Sequence, residues 1–212
     1  MMFHKTTYLA FRAYLQAQLQ HFDQSALWSP RILQEGGRAV ASWAVLGFSL
    51  VCLAHFLREH LPSAYLEAAI AEGIGPHLWN IFGTLACMLF GAACLFPRSR
   101  WFAQTARRAL VNTHAVGALT LGLLLGQLVT AFPAAAADIP AWKAWRMGGS
   151  AALLAATALL LNFSLWYLGD LMASRERGDG FLHRMEKVAV RLRLLACAMF
   201  AVLPVAFLLM EK

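Results

Sequence analysis

Charged side chains are scarce in this sequence and unevenly distributed along it. Asp, Glu, Lys and Arg make up 14% of the 212 residues, whereas a soluble globular domain has about 25%. The few charges lie between long uncharged runs, and 60% of the residues are hydrophobic. This distribution excludes an ordinary soluble domain and predicts an all-α integral membrane protein whose helices cross a bilayer.

Motifs for metal binding, nucleophilic catalysis and phosphate binding are also missing. The sequence contains no GxSxG, HExxH or GxxxxGK[ST], which would mark a hydrolase, a zinc protease or a nucleotide-binding loop. Four cysteines lie in apolar runs and form no CxxC pair, so we expect them to act as small apolar residues. The connections between apolar runs are too short for a soluble catalytic domain. We therefore expect a protein that is not an enzyme.

Five uncharged runs have the length of transmembrane helices, which need about 20 residues. The last span includes Arg191 and Arg193, whose long side chains reach the headgroups, and Pro133 is expected to end the third. Residues 1–38 then form a cytoplasmic N-terminal segment, and residues 39–212 form a five-helix transmembrane domain. The predicted spans are 39–57, 77–96, 110–132, 148–169 and 190–210.

The positive charges favour one orientation of these spans. Fourteen Lys and Arg residues lie in the N-terminal segment and in the second and fourth connections, and four lie on the other side. Because cytoplasmic loops of membrane proteins carry the excess of Lys and Arg, we place the N-terminus in the cytoplasm and the C-terminus in the periplasm. Trp and Tyr near the span ends, Trp79 among them, fit the membrane interface. The abundance of Ala, Leu and Arg favours a bacterial inner membrane.

Two further segments are predicted to be helical without crossing the membrane. In residues 3–22, aromatic and Leu side chains recur every three or four positions, which predicts an amphipathic helix that lies on the inner leaflet or docks on a partner protein. The stretch PSAYLEAAIAEG at 62–73 begins with proline and ends with glycine. It predicts a short periplasmic surface helix. The N-terminus has no unbroken apolar core with a cleavage site and does not resemble a secretory signal peptide.

The third span carries a histidine followed by small residues at intervals of four. His114 precedes Ala118, Gly122 and Gly126, and the two glycines form a GxxxG pair that lets another helix approach closely. We expect the fourth span to be the partner of this face, because it has small residues on nearly every side. Those that we assign to the helix contact are Ala151 and Ala155.

His114 itself has two interpretations. It either hydrogen-bonds a neighbouring helix in this contact, or it binds a cofactor, since ionisable groups inside a membrane are frequently functional. A haem b held by two histidines needs a second ligand at the same depth, and no other span supplies a histidine near the cytoplasmic side. No cofactor is therefore predicted, and haem b at His114 is the alternative.

Three other histidines, His55, His60 and His77, lie near the predicted outer face. The stretch HFLREH separates His55 and His60 by five residues, or about 140° around an α-helix. Histidine pairs that bind zinc from one helix use a spacing of four. We therefore predict no metal site, with these three histidines and Glu59 as the alternative ligands.

Three functions fit these observations. The first is a non-enzymatic multi-pass subunit that scaffolds or anchors a larger membrane complex or self-associates. The second is a redox subunit associated with haem b or a quinone through His114. The third is a channel or transporter component with Gln127 and Asn162 along its path, although the span centres hold no charged residues. Expected partners are the lipid bilayer and other membrane subunits or further copies of the chain, and not nucleic acid.

Cysteine labelling tests the predicted topology in a variant that lacks the four natural cysteines. We expect Ser99→Cys and Ser174→Cys to react with an impermeant maleimide only from the cytoplasm, and Ser63→Cys only from outside. The reason is that an odd number of spans separates Ser63 from each of the other two. Labelling of Ser63→Cys and Ser174→Cys from the same side would contradict the five-span arrangement.

Overall fold

The computed structural model describes residues 10, 12–18, 20, 22, 30–57, 74–137, 139–173 and 180–210. Within them every regular element is an α-helix, because in lipid each backbone N–H and C=O must find its partner inside its own segment. The predicted surface helix at 62–73 lies outside the described residues, as does most of 3–22. The helices are α1 (Pro30–Phe56), α2 (Ile74–Leu95), α3 (Arg100–Ala137), α4 (Ala141–Ala173), α5 (Phe181–Lys187) and α6 (Val190–Met210).

Three of these helices are long and apolar enough to cross a membrane. They comprise Pro30–Phe56, Arg100–Pro133 and Ala141–Ala173, and Trp79–Leu95 in α2 is a shorter apolar helix. The chain is therefore a membrane-associated helical protein, as its composition predicts. The count of five spans stays a prediction.

Helix α3 is longer than the span predicted at 110–132. It begins at Arg100, so most of the basic second connection is helical, and the connection itself is the short turn at 96–99. It also continues through Pro133 to Ala137, and the prediction that Pro133 ends the helix is wrong. Proline removes one backbone donor, but only one turn follows it, so few hydrogen bonds are lost.

Helix α3 is the centre of the bundle. It packs against α1, α2 and α4, while α6 packs against α2. Gly47 of α1 lies opposite Leu119 and Leu123 of α3, and Val51 lies opposite Gly126, so α1 and α3 run parallel. Helices α2 and α4 run antiparallel to α3, as expected for consecutive helices joined by short connections.

The closest contact between helices joins α3 to α1. A Cβ on Gly122 would touch the carbonyl oxygen of Ala44 and lie 2.7 Å from its carbonyl carbon, and a Cβ on Gly126 would lie 2.7 Å from Cβ of Val51. Gly47 of α1 meets the α3 backbone in the same way at Leu119. The structure thus places both glycines of the GxxxG pair against α1 and not against α4.

The other predicted contact residues lie on the α4 side of α3. Ala118 is fully buried and belongs to a small core cluster with Val40 and Leu121, against which Ala155 of α4 packs. Ala151 is half-buried. Helix α4 therefore does contact α3, but through alanines and larger side chains rather than through the two glycines.

The larger core cluster lies at the end of the bundle that carries α5. It combines residues of α2, the first turns of α3, the end of α4 and α5, with Leu110 and Leu182 almost completely buried. The N-terminal segment, helical at residues 12–18, contacts this end of the bundle. Gln18 accepts a hydrogen bond from the backbone N–H of Ala189 at 2.9 Å, and the ring of Phe22 lies 5.8 Å from that of Phe181.

Glycine-to-alanine substitutions test the contact between α1 and α3. Gly122→Ala places a methyl group against the backbone of Ala44, so we expect a loss of about 1–3 kcal/mol in unfolding free energy, as for overpacking. Gly149→Ala in α4 is the matched control, because its Cβ would meet nothing within 4 Å. The control should gain about 0.5–1 kcal/mol from helix propensity. Equal stability of the two variants in mild detergent would contradict the close contact.

Candidate functional site

His114 is buried in the middle of the bundle, with 2% of its surface exposed. Its Nδ1 lies 3.1 Å from the backbone carbonyl oxygen of Asn162 in α4. Because a carbonyl oxygen only accepts hydrogen bonds, Nδ1 carries the hydrogen in this contact. The backbone of Ala39 in α1 is a second neighbour of the ring, and Nε2 is buried without a hydrogen bond of standard geometry. The contact through Nδ1 joins α3 to α4.

Asn162 brings a second unpaired polar atom to the same region. Its side-chain nitrogen donates to the carbonyl oxygen of Ala158 at 3.0 Å, whereas its Oδ1 is buried without a partner. The Nε1 of Trp79 in α2 is also buried without a partner. Both atoms lie directly beside Gly117 of α3, where an added Cβ would touch each of them. Three helices thus meet around one glycine.

His114, Asn162 and Trp79 are called the polar trio below. Its unpaired atoms are one donor, the indole N–H, and two acceptors, Nε2 of the histidine and Oδ1 of the asparagine. A buried polar atom without a partner costs about 1–3 kcal/mol. Oδ1 of Asn162 and Nε1 of Trp79, which lie together beside Gly117, are therefore suited to bind a small polar group, such as water, that donates to the amide oxygen and accepts from the indole.

A metal site built from the outer histidines is the alternative that the sequence leaves open. Among the residues that the structure describes, no group of three or more His, Cys, Asp or Glu side chains could hold a metal ion. His55 is exposed near the end of α1. His60 lies outside the described residues, and His77 belongs to the first turn of α2 but its side chain is not described. The alternative of an outer metal site is therefore untested.

Gln127 and Asn162, suggested as residues along a channel, are not neighbours. Asn162 lies beside Gly117, whereas Gln127 follows Gly117 by ten residues, which is about 15 Å along α3. Gln127 is half-buried. The structure brings Asn162 to His114 instead.

Two cavities lie between the helices near the polar trio. One, of about 790 Å³, lies between α2, α4 and α6 and has Trp79 in its wall. The other, of about 710 Å³, lies between α1, α3 and α4 and is lined almost entirely by apolar residues. Comparison with protein-family models, curated proteins and solved structures finds no match to this chain. The evidence for its function therefore lies in the polar trio and the cavities.

Sequence reasoning did not find two members of the polar trio. The sequence predicts Trp79 at the membrane interface, yet its indole nitrogen is buried beside Gly117. For Asn162 it suggests only a position along a channel. The available signal was Gly117, which follows His114 by one helical turn and marks a place where large side chains of other helices approach α3.

Gly117→Ala tests the trio directly. The methyl group would overlap both Oδ1 of Asn162 and Nε1 of Trp79, so we expect a loss of about 1–3 kcal/mol in unfolding free energy. Adding Trp79→Phe should recover part of the loss, because it removes one of the overlapping atoms and an unpaired donor. Additive effects of the two substitutions, measured by unfolding in mild detergent, would contradict the contact.

Proposed function

We propose that the protein is a non-enzymatic multi-pass subunit of a bacterial inner membrane that self-associates and so scaffolds a larger membrane assembly. The proposed topology has five spans, a cytoplasmic N-terminus and a periplasmic C-terminus. The alternating directions of the helices support this topology. The amphipathic helix in residues 3–22 would lie at the cytoplasmic interface, where its described part contacts the α5 end of the bundle.

The open groove between α1 and α4 is the observation that carries the proposal. It is the cavity of about 710 Å³, and small residues line both of its walls: Gly37, Ala41 and Ala44 on α1, with Ala155 and Ala156 on α4. A Cβ on Gly37 would meet nothing within 4 Å. Small residues in a membrane allow helix backbones to approach closely. Gly122 and Gly126 of the α1–α3 contact are buried within the chain, whereas Gly37, Ala41 and Ala156 of the groove are exposed.

A second copy of the chain fits this groove because α4 carries both small residues that line the groove and exposed leucines that could fill it. Leu153 and Leu154 are 70% exposed and Leu160 is 67% exposed, on the same helix as the small residues of the groove. Two copies related by a twofold axis would each insert leucines of α4 into the groove of the other. Twofold dimers, in which each subunit uses the same surface, are the commonest assemblies.

Filling the groove tests the proposal. We expect Ala41→Leu with Ala156→Leu to weaken the oligomer about five- to hundredfold, because overpacking costs about 1–3 kcal/mol. Ala198→Leu on the exposed face of α6 is the control and should leave the oligomer unchanged. Native mass spectrometry in mild detergent measures the subunit number, and membrane insertion should be equal for all variants.

A monomeric wild-type protein would overturn self-association. A foreign subunit that is bound in fixed proportion and lost in the groove variant would replace the second copy as the partner.

Binding of a quinone or haem b is the second candidate function, and the unpaired Nε2 of His114 favours it. Such a ligand would be extractable from the purified protein or give it colour. If it is lost in His114→Ala while the groove variants assemble normally, the redox function replaces the scaffold. A channel has no comparable observation in its favour.

A further inference from the structure

A third cavity lies at the α5 end of the bundle and differs from the other two in its charge. It has a volume of about 580 Å³, and its wall combines the turn between α2 and α3 with residues of α5 and α6. The apolar part of the wall includes Phe96 and Pro97, and the polar part consists of Arg98, Ser99, Glu186 and Arg193. Two guanidinium groups thus share one cavity with carbon surface.

Arg193 lies in the wall of this cavity and has one N–H group without a hydrogen-bond partner. Its Nη1 donates to the carbonyl oxygen of Leu95 at 3.2 Å, which ties the start of α6 to the end of α2. Its Nε is buried and has no partner. An arginine gains most from an oxygen acceptor that bears negative charge, so this guanidinium group is suited to an anion in the cavity.

The ion pair between Arg98 and Glu186 is long and open to solvent. The side chain of Arg98 is 89% exposed, and its Nε lies 3.7 Å from the carboxylate oxygen of Glu186. Exposed ion pairs of this kind contribute little to stability. Glu186 also lies 3.9 Å from Nδ1 of His183. A phosphate group can therefore replace Glu186 beside Arg98 at little cost.

The surroundings indicate that the anion carries acyl chains. Phe96 and Trp101 at the α2–α3 turn are 52% and 63% exposed, and exposed aromatic rings are typical of the membrane interface. Apolar helices α2 and α6 continue from this level into the membrane. We infer that the cavity binds the headgroup phosphate of an anionic phospholipid through Arg98 and Arg193. This inference does not depend on self-association.

Lipid titration followed by native mass spectrometry of the full chain in mild detergent tests the inference. Phosphatidylglycerol should bind about tenfold more weakly to Arg98→Gln and to Arg193→Gln, which each lose a charge-assisted hydrogen bond. Arg191→Gln is the matched control, because Arg191 is exposed on the same helix and does not line the cavity. Glu186→Gln should bind the lipid more tightly, since it removes the competing carboxylate.

Three results would overturn the lipid site. An equal loss in Arg191→Gln would indicate a diffuse basic surface, and equal binding of phosphatidylcholine would remove the role of net lipid charge. Displacement of the lipid by inorganic phosphate would indicate a site for the free anion. If Arg193→Gln lowers the melting temperature, Arg98→Gln and Glu186→Gln still decide, because they are predicted to change lipid binding in opposite directions, which a general loss of stability would not do.

Discussion

The bundle depends on the close approach of the α1 and α3 backbones at Gly47 and Gly122. Apolar side chains gain nothing by leaving lipid for another helix, so association in a membrane rests on dense packing and on hydrogen bonds. The two glycines provide that density from opposite sides of one contact. Helix α3 also packs against α2 and α4, and α6 packs against α2.

The polar trio concerns hydrogen bonds, the second requirement for helix association in a membrane. His114 supplies a hydrogen bond between α3 and α4, yet Nε2 of the same ring, Oδ1 of Asn162 and Nε1 of Trp79 remain unpaired. A membrane interior offers no bulk water to compensate them. Oδ1 of Asn162 and Nε1 of Trp79 lie together beside Gly117, and unpaired polar atoms in one place are expensive to maintain. This pair is therefore the strongest candidate site for a bound polar group among the described helices.

The three cavities differ in what they can accept. The groove between α1 and α4 has small residues on both walls and suits another helix. The cavity beside Trp79 is mainly apolar with a polar end, and the cavity at the α5 end has two arginines. The proposed self-association uses the first of these surfaces, and the proposed lipid site uses the third. Lipid bound at Arg98 and Arg193 would hold the α5 end at the headgroup level while the groove contacts its partner.

The sequence alone determined the class of the protein and the positions of its apolar helices. A long uncharged run indicates that lipid surrounds the helix, because a charged side chain is costly anywhere in the membrane interior. Tertiary structure decided the partners. Gly122 and Gly126 indicated that some helix approaches α3, but all the spans are similarly apolar, so nothing in their composition distinguished α1 from α4. Helix α1 is the partner because its shape is complementary, with Gly47 and Ala44 opposite Gly122. Tertiary structure also brought Asn162 to His114, and Trp79 to Asn162 beside Gly117, from helices whose sequences carry no sign of these contacts.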